Sequence, residues 1–291
     1  MERRPFGATG LSVTPVGLGG GQIGEEWISS STAADVLDAA FDLGVGLIDT
    51  ARGYGLSEER IGRALRGRRD EVVLVTKVGY DVEGAEDWTA AAVTGGVERA
   101  LRMLGTDVLD VALLHSCSLE VLRRGEVVEA LLAARDAGKV RVAGYSGENH
   151  ALAWAVRSGA FGAVETSVNI ADQWSWVNVL PAAAAAGMGV IAKRPLANAP
   201  WRFAERPVGA YSETYWERLR AMGREPADGD WAATAARFAA YAPGVSAAIV
   251  GTASAEHLRA AVGAVERGPL AADEVAAWRA AWREFSWPGD V

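Results

Sequence analysis

The stretch GVGLIDTARGYG, residues 44–55, starts as an apolar run and then delivers a carboxylate, a guanidinium and a phenol in quick succession: Asp49, Arg52 and Tyr54. Two further groups able to hold or pass a proton stand near the ends of later apolar runs, Lys77 in EVVLVTKV and His115 in DVLDVALLHS. Each has a plain structural role when taken singly. A terminal Asp can cap the next turn, a Lys can be a solvated strand end, and a lone His is more often a satisfied core residue than a catalyst. Four such groups at the ends of three successive apolar runs form a pattern only if the runs lie side by side.

The runs recur along the whole chain. They are VGLG (16–19), VGLIDT (45–50), EVVLVTKV (71–78), DVLDVALLHS (107–116), KVRVAGYS (139–146), AVETSVNI (163–170), MGVIAKRPL (188–196) and SAAIVGT (246–252). Between them lie Ala-rich amphipathic stretches of helical length, among them STAADVLDAAFDLG, TAAAVTGGVERALRML, WVNVLPAAAAAG and SAEHLRAAVGAVER, several opening on a capping residue and closing on Gly. Eight strands, mostly apolar on both faces and alternating with helices, predict an α/β fold, a (β/α)8 TIM barrel closed by a parallel sheet. The expected unit is one barrel domain over residues 1–291. An open doubly wound sheet would carry a glycine-rich turn leading straight into a helix, whereas GLGGGQIG (17–24) runs first into EEWISS. In a barrel, polar residues at the C-terminal strand ends face the mouth, so Asp49, Tyr54, Lys77 and His115 would converge there.

Two segments depart from the alternation. RRPFGATGLSVTPVG reads as a hairpin about an Ala-Thr-Gly turn that could plug the barrel bottom. Residues 201–230 follow the seventh barrel strand and carry Trp201, Phe203, Tyr211, Tyr215 and Trp216. Such a stretch could fold over a bound cofactor, or be a packed excursion with its own small helix. After the eighth strand, LAADEVAAWRAAWREFSW reads as a C-terminal helix that buries Trp278 and Trp282.

Composition narrows the partners. A formal net charge of −8, with Lys and Arg dispersed, argues against nucleic acid. No apolar run approaches the roughly 20 residues that span a bilayer, and MERRPFGATGLSV lacks a signal-peptide core, so a cytoplasmic location is expected. The lone Cys117 and the scattered His115, His150 and His257 have no zinc-ligand spacing, and no metal is expected. No residue pattern specifies an oligomeric state.

The segments GVGLIDTARGYGLSEERIGRAL, VVLVTKVG and DVLDVALLHS resemble the aldo-keto reductase family, whose strand-two signature, strand-three lysine and strand-four histidine fall at Asp49, Tyr54, Lys77 and His115. PFGATGLSVTPVGLG resembles that family's hairpin and first strand, VRVAGYS its fifth strand, KRPLAN the turn after its seventh, and IVGTASAEHL its eighth strand and following helix. The resemblance covers nearly the whole chain and implies an NAD(P)H-dependent enzyme that interconverts a carbonyl and an alcohol. A carbonyl receiving hydride at carbon needs a proton at oxygen; Tyr54 would supply it, Lys77 would lower the phenol's pKa, Asp49 would hold Lys77, and His115 would orient the substrate oxygen.

For the dinucleotide, the resemblance implies Gly20 and Gly21 after the first strand, Ser146 and Glu165 at the nicotinamide, Lys193, Arg194, Leu196 and Asn198 after the seventh strand, and Gly251, Thr252, Ser254 and His257 after the eighth. Two positions depart from the family pattern: Gly147 stands where an Asn is usual and Glu165 where a Gln is. An ionised Glu165 accepts a hydrogen bond from the carboxamide but donates none. Lys193 and Arg194 replace the usual stacking aromatic, and GTASAEHL lacks the cations that commonly grip a 2′-phosphate. NADP(H) is the first expectation and NAD(H) the alternative. Two other readings of the same barrel are a cofactor-binding regulator with little turnover and a lyase with a Schiff base on Lys77. The substrate pocket would be lined by Trp27 and the aromatic 201–216 segment; Cys117 could line it too, but reads more readily as a small buried filler.

Overall fold

In the computed structural model, residues 1–289 are described; the last two residues of the expected 1–291 domain lie outside them. Strands β1 (Arg4–Pro5) and β2 (Ser12–Val13) form an antiparallel hairpin. Eight further strands follow: β3 (Val16–Gly19), β4 (Leu47–Asp49), β5 (Val73–Val78), β6 (Leu109–His115), β7 (Val140–Ser146), β8 (Ala163–Ser167), β9 (Gly189–Lys193) and β10 (Ala247–Gly251). They pair in parallel in chain order, and β10 closes on β3 to complete the barrel. Each expected strand appears, the first with its expected bounds and the others trimmed at one or both ends.

The period-two alternation of the strands separates two cores. Leu47, Val73, Val75, Val111, Leu113, Val142, Ala163, Ile191, Ala247 and Ile249 fill the barrel interior. Ile48, Leu74, Ala112, Leu114, Val164 and Val190 pack outward against the helices. Capping residues start those helices, three of them where the sequence places them and the first one two residues earlier, at Ser29 instead of Ser31. Ser29, Thr89, Asp230 and Ser254 accept N–H groups of the first turns of helices Ser30–Asp42, Ala90–Leu104, Trp231–Ala240 and Ala255–Glu266.

The hairpin closes the barrel bottom. Phe6 and Val13 are fully buried among the interior side chains, and Gly189 leaves the space that the Phe6 ring fills, since a Cβ there would collide with the ring. One helix differs from the sequence reading. WVNVLPAAAAAG forms two short helices, Trp174–Asn178 and Leu180–Ala185, because the Pro181 ring cannot continue a helix and sits instead in the first turn of the second. Residues 201–230 follow the second of their two readings, a packed excursion with its own helix, Glu213–Met222, whose Tyr215 and Leu219 pack with Ile170, Ala171, Phe238 and Trp278, while Trp201 stacks on Trp231 at 5.6 Å. Trp278 and Trp282 of helix Ala272–Arg283 are buried. Among the described residues no helix is long and apolar enough to cross a membrane.

Phe6→Ala empties the plug. A loss of about 3–5 kcal/mol is expected, read as a lower urea midpoint with an unchanged slope.

Candidate active site

The interior alternation that gives apolar tiers below puts charge on top. On β4 the residue two beyond Leu47 is Asp49, on β5 the residue two beyond Val75 is Lys77, and on β8 the residue two beyond Ala163 is Glu165. All three are fully buried. The Lys77 ammonium donates to both oxygens of Asp49 at 2.7 and 2.6 Å and to the Thr50 carbonyl at 3.1 Å, and lies 3.4 Å from Glu165 Oε2. Burial opposes the charge of Lys77 most strongly, but Asp49, Glu165 and Tyr54 together outweigh it and hold the amine protonated, above its ordinary range. Burial and the Glu165 charge push Asp49 above the usual carboxylate range even though Lys77 pulls it down.

Tyr54 sits on the loop after β4, with Lys77 Nζ 4.9 Å from its ring centre. Gly24 makes this position possible: Leu56 N–H donates to the Gly24 carbonyl at 2.8 Å, and any Cβ on Gly24 would strike the Tyr54 carbonyl. The sequence reading expects Lys77 to acidify the phenol; the net effect is the reverse. Burial dominates and, with the charges of Asp49 and Glu165, raises Tyr54 to about 12 against the pull of Lys77. The phenol is therefore a protonated group across the neutral range.

His115 ends β6 with its ring edge-on to Tyr54 at 5.9 Å. Burial first, then the Lys77 and Lys193 charges, push its pKa down to about 3, so the imidazole is neutral. Its Nδ1 lies 2.9 Å from the hydroxyl of Tyr80, a residue the sequence reading passed over. Burial raises the Tyr80 pKa, keeping its proton; a hydroxyl donating to Nδ1 leaves the imidazole proton on Nε2. Arg52 clamps this loop through Asp81, at 2.9 Å to the carboxylate and 3.0 Å to the carbonyl, and Gly53 has no side chain to collide with the Tyr80 hydroxyl. An aromatic three residues past Lys77 in a βα loop was the available signal.

The candidate dinucleotide contacts occupy the facing arc, β7 to β10, with the two glycines beside it. Ser146 is buried and donates to Glu165 Oε1 at 3.4 Å, while Glu165 Oε2 accepts no hydrogen bond from the described residues. Lys193 pairs at 3.1 Å with Glu148, which also accepts from Ser167 and Thr166 and was not foreseen. Arg194 reaches Ser167 Oγ at 3.4 Å and lies 5.7 Å from the ring centre of Tyr211. Leu196 packs against the outer core, and Asn198 donates to the Tyr211 carbonyl at 3.0 Å. Gly251 is exposed opposite Gly19; Thr252 is buried; Ser254 caps the following helix by accepting the His257 N–H, and the His257 side chain is exposed. Gly21 faces the Tyr54 ring, but Gly20 is buried and its N–H is taken by the Asp49 carbonyl at 2.7 Å, which makes it a strand-packing residue. Cys117 is buried in the outer core with its thiol pushed up to about 12, the filler of the two readings. Trp27 and Tyr211 stand 78% and 83% exposed.

Comparison with known proteins follows the same lines. The model of the Aldo/keto reductase family matches residues 15–283. The chain is 26% identical to the uncharacterized oxidoreductase YqkF of Bacillus subtilis over 95% of each chain. Its fold matches the holo form of aldo-keto reductase AKR11C1 from Bacillus halodurans with a TM-score of 0.85 at 26% identity, covering 97% of this chain and 96% of the other. It matches an aldo/keto reductase from Klebsiella pneumoniae, crystallised in complex with NADP and acetate, with a TM-score of 0.76 at 27% identity over the whole of both chains.

Lys77→Met leaves two buried carboxylates without their cation, at an expected cost of about 3–5 kcal/mol. Because Asp49 already binds its proton more tightly folded than unfolded, the variant should regain stability as pH falls and lose it as pH rises through the carboxylate range. Urea midpoints at acid and neutral pH check both.

Proposed function

Because the chain belongs to the aldo/keto reductase family, and is an oxidoreductase of that family, we propose that it moves hydride between a nicotinamide dinucleotide and a small carbonyl or alcohol, with Tyr54 as the proton donor. The observation that carries this reading is the convergence of a protonated phenol, a buried ammonium and a neutral imidazole at the open rim of the barrel. When bound, the reduced nicotinamide supplies hydride to the carbonyl carbon. The oxygen then gathers negative charge and needs a proton. Tyr54 gives up its O–H, leaving a phenolate that the Lys77 ammonium stabilises and that solvent reprotonates. His115, neutral and with its Nε2 proton directed by Tyr80, donates a hydrogen bond to the same oxygen without competing for the proton. Lys77 is held as an ammonium by Asp49, whereas a Schiff-base lysine must be a free amine, so the geometry disfavours the lyase reading.

The residues present suit a nicotinamide dinucleotide. Glu165 Oε2, buried and without a donor among the described residues, can accept from the carboxamide, and Ser146 Oγ lies beside it. Lys193 and Arg194 offer cations to the phosphates, and helix Ala255–Glu266 turns its N-terminus, with Ser254 and His257, toward the rim. We take NADP(H) as the preferred cofactor, supported by the NADP-bound Klebsiella pneumoniae relative, with NAD(H) next. Substrates are small aldehydes, ketones or sugars, and Trp27 and Tyr211 at the rim offer stacking faces.

Turnover followed at 340 nm with a panel of small carbonyls tests the assignment. Tyr54→Phe should lower kcat by at least about 100-fold with the fold intact, and full activity in that variant would remove Tyr54 from the role. The phenol's pKa of about 12 sets the pH dependence. Carbonyl reduction needs the protonated phenol and should stay flat from neutral into mildly alkaline pH. Alcohol oxidation needs the phenolate and should rise by about tenfold per pH unit over the same range.

A further inference from the structure

The charges at the barrel mouth do not cancel evenly. Asp49 holds Lys77 through both oxygens at 2.7 and 2.6 Å, and Glu165 is left with the long approach of 3.4 Å. Its Oε2 accepts no hydrogen bond from the described residues, and its Oε1 receives one from Ser146 at 3.4 Å. The nearby ions are already matched. Lys193 faces Glu148 at 3.1 Å, Arg52 faces Asp81 at 2.9 Å, Arg218 lies 3.8 Å from Asp172, and Arg194 lies out at the rim against Ser167 and Tyr211, among the residues that suit phosphates. Two carboxylates thus share one ammonium beneath the mouth, and among the described residues Glu165 has no cation beyond that shared Lys77. Burial makes that charge costly and a cationic visitor welcome.

We infer that Glu165 makes this site select the oxidised, cationic nicotinamide over the reduced, neutral one. The inference rests on the preceding reading that the mouth receives a nicotinamide dinucleotide. The carboxamide is the same in both redox states, so a hydrogen bond from it to Oε2 cannot discriminate between them. The ring charge can: a buried carboxylate beside the ring favours a pyridinium and does nothing for a dihydropyridine. A Gln in this place would keep the shape and lose the discrimination. Each tenfold of preferential binding lowers the midpoint potential of the bound couple by about 30 mV, so the bound reduced form becomes the stronger hydride donor.

The test is binding, not turnover. Tryptophan fluorescence titrations with NADP+, NADPH, NAD+ and NADH give the ratio of reduced to oxidised Kd for the wild type, Glu165→Gln and Glu165→Asp. The wild type should favour the oxidised form. Glu165→Gln should weaken oxidised binding by about tenfold or more and leave reduced binding within a few-fold, while Glu165→Asp should keep the wild-type preference. Tighter wild-type binding of the reduced form overturns the inference, whether or not the Gln variant folds, and so does an unchanged ratio in Glu165→Gln. Failure of all four dinucleotides to bind would instead overturn the cofactor reading itself.

Discussion

A lysine ammonium buried between two carboxylates is the constraint on which the mouth of this barrel depends. Lys77 has no exposed surface to speak of, and its charge is tolerable only because Asp49 grips it bidentately and Glu165 stands within reach. That grip fixes the ammonium beside the Tyr54 ring, and the field of the same ammonium helps strip His115 of any tendency to protonate. Burial sets the direction in which Tyr54 and His115 shift, and the Lys77 charge opposes it at the phenol and adds to it at the imidazole. The uneven sharing between Asp49 and Glu165 is equally a property of that cluster.

The apolar tiers below make such a cluster possible. Val75, Leu113, Ile191 and Ile249 form a dry floor, and small residues open the space above it: Gly19 of β3 faces Gly251 of β10 with no side chain on either. Large residues on the β4 to β6 side and glycines on the β3 and β10 side give the mouth a chemical wall and an empty one. The loops then lock onto the chemical wall, with Gly24 under the Tyr54 loop and the Arg52–Asp81 pair holding Tyr80 against His115.

Much of this was legible in the residues alone. Eight apolar runs, period two within strands and capped helices between them fixed the barrel, and the polar residue at the end of each run marked the mouth. What escaped were outcomes of competition between opposed forces. Lys77 alone would lower the Tyr54 pKa, yet the sign of the shift follows from burial and two carboxylates, one of them contributed by a strand on the far side of the barrel. Tyr80 escaped because its importance lies in one contact with a residue 35 positions away. Glu148 is likewise defined by where its loop folds, against Lys193, Thr166 and Ser167. Gly20, rich in apparent meaning as part of a glycine run, turned out to be a point of close backbone approach.

The N-terminal hairpin has a kinetic consequence. The barrel interior is packed solid, and Phe6 and Val13 extend that packing at the lower end. The Phe6 ring seats against Gly189, more than 180 residues further along the chain, so the hairpin can dock only once the seventh barrel strand is in place, which makes the sealing of the lower end a late step of folding.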